Sequence, residues 1–79
     1  MSIMLVRHNN DGTHQIRIYC MDSLEESTIA NYSFTESGIL IHCEMELFSR
    51  EHVEKRMKYD IDTGFYKPCK KIPVVGMVK

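Results

Sequence analysis

The chain has no tryptophan, only two prolines and four glycines, and three cysteines among its 79 residues. Three cysteines, an odd number without close spacing, do not make a disulfide framework. No apolar run approaches the ~20 residues of a membrane span, and no charged-then-apolar leader precedes a cleavage site. These absences predict a cytoplasmic protein with free thiols, in the host cytoplasm if the chain is viral. Asn31-Tyr32-Ser33 matches a glycosylation sequon, but without an export signal the match reads as chance. Six methionines without a tryptophan suggest a soft, adaptable core or contact surface.

Motifs for chemistry are also missing. No Cys-x-x-Cys or His-x-x-x-His occurs, and the neighbours His42 and Cys43 would face opposite ways on a strand. Asp60-x-Asp62-x-Gly64 is similar to the opening of a calcium loop, but its twelfth position is Lys71 where a bidentate Glu is needed. Cys69 lies among Lys67, Lys70 and Lys71, which favour a thiolate, yet no histidine is near it in sequence to act as base. A domain this small has little room for a pocket of ~300 Å³ and its walls. No metal, no cofactor and no enzymatic activity are expected.

What is present is the material of one small domain spanning residues 1–79, with 43% hydrophobic and 27% charged residues. A chain of this size buries only ~60% of its unfolded surface, so its stability margin is thin. The clearest stretch is Gly38 to Phe48. Ile39, Ile41, Cys43, Met45 and Leu47 share one parity, and His42, Glu44 and Glu46 take the other, with Leu40 and Phe48 near the two ends. Alternation of that length predicts a β-strand with one face in a core.

Earlier in the chain, Ile3 to Val6 is a short apolar run compatible with a strand. Asp11-Gly12 then predicts a hairpin, returning along Thr13 to Met21 with Ile16, Ile18 and Cys20 on one face. Asp22 to Ser27 reads as a polar loop, with Asp22 and Glu25 spaced as in a capping box. A third strand carries Tyr32 and Phe34 on one parity, and a turn at Thr35 to Gly38 follows.

Ser49 to Ile61 supports two assignments. As a helix it has Ser49 as cap and Glu51–Lys55 and Glu54–Lys58 at i,i+4, but only Val53, Met57 and Ile61 form its apolar stripe. As a strand it places Val53, Met57, Tyr59 and Ile61 on one face, and burial favours that arrangement narrowly. Tyr59-Asp60-Ile61-Asp62-Thr63-Gly64-Phe65 resembles the Tyr-Asp-x-x-Thr-Gly hairpin of YD-repeat proteins. That resemblance, over seven residues, implies a turn with Gly64 at positive φ. Phe65 to Cys69 would pair back until Pro68 weakens the ladder, and Ile72 to Met77 could add an edge strand. The fold class is therefore all-β, a small antiparallel meander or barrel of five to six strands. The alternative is α+β, with a helix at about 49–60 packed on a four-stranded antiparallel sheet.

Charge is unevenly divided. Residues 1–48 hold two basic and seven acidic side chains, whereas residues 49–79 hold eight basic and four acidic. Such an imbalance suits docking to a charged partner, or attraction within the fold. The candidate contacts are Arg56, Lys58, Tyr66, Lys67, Lys70 and Lys71 for a polyanion or acidic partner, and Glu25, Glu26, Glu44 and Glu46 for a basic one.

Leu40, Phe48, Tyr19 and Met21 form either an apolar contact patch or the underside of a second layer. Taken together, the sequence predicts a non-enzymatic protein that binds another macromolecule, a small regulator or inhibitor docking a charged protein surface. Short, motif-free, single-domain chains of mixed charge are typical of inhibitors encoded by phages, viruses and mobile elements, anti-CRISPR proteins among them. Two alternatives are a nucleic-acid-binding small β-barrel that uses the basic C-terminal half, and a structural subunit of a homo-oligomer such as a homodimer. No membrane partner is expected.

Overall fold

A computed structural model describes residues 2–69. It contains β1 (Ser2–His8), β2 (His14–Cys20), β3 (Glu26–Phe34), β4 (Leu40–Ser49), α1 (Arg50–Asp62) and β5 (Lys67–Pro68). The strands form one antiparallel sheet in the order β4-β3-β2-β1-β5. The first four strands are the expected meander. The sheet is open rather than closed into a barrel, and the helical alternative is the one realised after residue 49. The expected strand at Ile72 to Met77 lies outside the described residues.

The turns follow the predicted chemistry. Between β1 and β2, the Asn9 N–H donates to Thr13 O at 2.9 Å and the Gly12 N–H to Asn9 O at 3.1 Å. Asp11 Oδ1 accepts from the Thr13 amide and hydroxyl at 3.0 and 2.6 Å, and those bonds lower its pKa. Between β3 and β4, Gly38 sits at φ 89°, which a glycine adopts at no steric cost. The Asp22–Glu25 region is a loop, in which Ser23 Oγ accepts from the Glu25 and Glu26 amides.

Helix α1 starts where Ser49 Oγ accepts from the His52 N–H at 3.3 Å. Ion pairs at i,i+4 line its solvent side: Glu51–Lys55 at 2.9 Å, Arg50–Glu54 at 3.5 Å and Lys58–Asp62 at 2.7 Å. Its buried residues are Val53 and Asp60, with Met57 half-buried. Neither sequence assignment included Asp60 in the apolar side of this segment, yet it is buried beside Val53 on the inner side of the helix. Tyr59 to Asp62 are therefore helical rather than strand as the YD-type hairpin implied, although Gly64 does take a positive φ of 69°. The chain then returns along β1, not along residues 50–61, and the Cys69 N–H donates to Met4 O at 3.1 Å.

Both faces of the sheet carry apolar side chains. Beneath α1, Leu5, Tyr19, Met21, Ile29, Val53 and Tyr66 form one cluster, joined by Ile3, Phe48 and Met57. Tyr19, Met21 and Phe48 thus underlie a second layer, and that layer is the helix. On the other face Val6, Ile16 and Phe34 form a second cluster with Met4, Ile18, Tyr32, Leu40 and Cys69 at its margin.

The outer row of β4 departs from expectation. Ile39, Ile41, Met45 and Leu47 are 58–62% exposed, although their alternation predicted a core face. Cys43 of the same row is exposed as well. Pairing of Ala30 with Met45 and of Tyr32 with Cys43 turns the stretch from Cys43 to Leu47 away from α1, while a register shift leaves Ile41 without a β3 partner and Ile39 precedes the strand. Strand β4 is also an edge, so it has a neighbour on one side only.

Candidate interaction surface

The predicted contact residues do not converge on one patch. Arg56 and Lys58 lie on exposed turns of α1, where Lys58 bonds Asp62 and Arg56 Nε stands 3.6 Å from Asp60 Oδ1. The Asp62 carboxylate raises the pKa of Lys58 by hydrogen bond and charge. Lys67 is exposed on β5 at the far edge of the sheet from β4. Glu25 and Glu26 are exposed where the chain enters β3, and Glu44 and Glu46 are exposed on the α1 side of β4. Lys70 and Lys71 lie outside the described residues.

Tyr66 corrects the expectation of a surface aromatic. It is 2% exposed and packs in the core, with the Arg17 guanidinium carbon 4.5 Å from its ring centroid. The aromatic that stacks at the surface is Phe65, which has the Arg7 guanidinium 3.6 Å from its centroid. Tyr66 is therefore unavailable as a stacking platform, while the exposed Tyr59 lies beside Lys55 and Arg56 on α1.

A polar network that the sequence did not reveal joins α1 to the sheet. Asp60 Oδ2 accepts from Arg17 Nη1 at 2.6 Å and from the Tyr19 hydroxyl, and Arg17 Nε donates to Asn31 Oδ1 at 2.6 Å. Burial and the bond to Asp60 push the Tyr19 phenol well above its usual range. For Arg17, burial opposes the charge, but the bonds to Asp60 and Tyr19 and the field of Tyr66 outweigh it and raise the pKa. Arg17 Nε and Nη1 and the Tyr19 hydroxyl each face an acceptor within the fold, so the cluster ties the helix to the sheet. Beside it, Arg17, Asn31, Glu44, Glu46, His52 and Arg56 rim a shallow cleft of about 200 Å³.

A wider cleft of about 550 Å³ lies between the C-terminal end of β1 and the segment Gly64–Cys69. On its rim His8 Nδ1 is held 2.8 Å from His14 Nδ1. Among the described residues no group of three His, Cys, Asp or Glu side chains could hold a metal ion. No described helix is long and apolar enough to cross a membrane.

The largest unexplained feature is the outer side of β4. Three large apolar side chains of β4, Ile41, Met45 and Leu47, stand exposed, and among the described residues nothing pairs with the strand's outer edge. The acidic pair Glu44 and Glu46 occupies the opposite face of the same strand. Alternation in the sequence located this row, but it is exposed instead of core because β4 is the outermost strand. Scanned against known protein families, curated proteins and solved structures, the chain matches none of them.

Proposed function

We propose that this chain is a non-enzymatic protein-binding module, a small regulator or inhibitor that docks its partner along β4. The observation that carries this is the ten-residue edge strand with Ile41, Met45 and Leu47 exposed on one face and Glu44 and Glu46 on the other. An exposed edge offers unpaired backbone donors and acceptors, and alternate side chains supply specificity when a strand is added. The complementary partner is an extended protein segment, apolar on one face and basic or polar on the other. Nucleic-acid binding through the basic half is less supported, because Lys55 and Lys58 each bond an acidic neighbour on α1.

The test is capture with purified protein, comparing wild type with Met45→Lys, Leu47→Lys and a helix-surface control, Lys55→Glu. A partner identified with wild type is then titrated calorimetrically against all four proteins. Binding that is lost in the two β4 variants and retained in the control supports this function. Binding indifferent to β4, or bulk nucleic acid released by raised salt, overturns it.

A further inference from the structure

Resting on the role of β4 given above, we infer that its partner is a second copy of this chain, paired antiparallel through β4 and centred on Cys43. The two edges of the sheet are built differently. On one side the described edge, β5, consists of Lys67 and Pro68, whose charge and missing N–H discourage further pairing. On the other side β4 runs for ten residues with no proline and no lysine. The register shift at Ser33/Phe34 leaves Ile41 without a β3 partner, still exposed; from His42 to Ser49 the ladder to β3 is regular.

The side chains select a second copy because β4 complements itself in one register. In a two-fold antiparallel pair, opposed residues share a face, so the centre falls on a residue. Centring on Cys43 sets His42 opposite Glu44 of the partner subunit twice and Ile41 opposite Met45 of the partner subunit twice. The apolar pairs lie in the exposed row, and the polar pairs lie on the α1 side. Within one chain His42 Nε2 already stands 3.6 Å from Glu44 Oε2, so each imidazole would lie between two carboxylates.

Neighbouring registers fit less well. Centring on Glu44 opposes that residue to itself, and centring on Met45 sets Glu44 against a glutamate twice, which is unfavourable directly across a ladder. The chosen register also brings two Cys43 thiols face to face. Opposed Cα atoms lie roughly 4.5–5.5 Å apart in such a pair, within the span a disulfide bridges.

The experiment combines sedimentation equilibrium with cross-linking. A Cys20→Ser/Cys69→Ser variant, treated with diamide as acceptor of the two electrons and two protons, is expected to give a covalent dimer. The Cys43→Ser variant, which keeps the other two thiols, is expected to give none. His42→Glu should weaken dimerisation about tenfold by setting like charges opposite one another. Adding Glu44→His to it should restore the dimer with the two side chains exchanged.

A monomer at all concentrations overturns the proposal, as does a dimer that neither cross-links through Cys43 nor responds to His42→Glu. Amide hydrogen exchange separates that failure from failure of the role of β4 itself. A monomer whose outward β4 amides exchange fast has a free edge awaiting a different protein. A monomer whose β4 amides are all protected has its edge covered, and both proposals then fall.

Discussion

Arg17 on β2 and Asp60 on α1 meet at 2.6 Å across the interface between sheet and helix, with Asp60 1% exposed. A buried ion pair of this kind is not itself a strong source of stability, because desolvating both charges offsets most of their attraction. Removing one partner is another matter, since it strands the other charge in the interior. Asp60→Ala and Arg17→Ala are each expected to destabilise the fold by about 3–5 kcal/mol. The double variant should cost clearly less than their sum. Urea unfolding of the four proteins measures that coupling, and strict additivity would mean that the two side chains do not act together.

Stability should fall steeply in alkali. Burial and the Asp60 carboxylate raise the pKa of Tyr19 in the folded state. A phenol whose pKa is raised by folding leaves stability intact below the unfolded value of about 10 and erodes it as pH climbs beyond that. Burial raises Tyr32 in the same direction, so two phenols contribute to the slope. Tyr19→Phe is expected to flatten the decline of the unfolding midpoint above about pH 10 while lowering the midpoint itself at neutral pH, because Asp60 loses a donor. Unfolding midpoints measured across that range decide it; an unchanged slope would place Tyr19 outside the coupling.

Ser27 presents the opposite situation. Its hydroxyl is buried with no hydrogen-bond partner among the described residues, on the α1 side of β3 opposite Phe48. A buried hydroxyl with no partner carries a desolvation cost that alanine does not. Ser27→Ala is therefore expected to leave the protein equally stable or more stable by up to about 1 kcal/mol. Thermal unfolding provides the readout, and a clear loss of stability would show that the hydroxyl has a partner after all.

The meander was legible because its signals are local. Asp11-Gly12 and Gly38 close two hairpins by their own backbone freedom, and alternation marks β2 and β4 without reference to anything distant. Residues 50–62 were ambiguous because the deciding contact is remote: Asp60 turns inward only since Arg17 and Tyr19, some forty positions earlier, supply its donors. Periodicity also reports that a strand has an apolar side but not where that strand lies in the sheet. The row through Met45 satisfied the rule for a core strand, and the sheet order then placed it at the edge. Tyr66 shows the converse, a residue read as a surface aromatic that the return of the chain along β1 draws under Arg17.

The exposure of that row separates β4 from the true core in an experiment. Leu5 is fully buried, whereas Met45 and Leu47 are each 62% exposed. Leu5→Ala should cost about 2–5 kcal/mol, the range for emptying a buried aliphatic site. Met45→Thr and Leu47→Thr keep a β-favouring side chain and should each stay within about 0.5 kcal/mol of wild type. Urea midpoints must be taken at protein concentrations low enough for the chain to be monomeric, since association through β4 would add its own stabilisation. Threonine at either position costing as much as the Leu5 change would mean that the row is covered within a single chain. Small losses in dilute protein that grow with concentration would instead tie the contribution of these side chains to a contact between molecules.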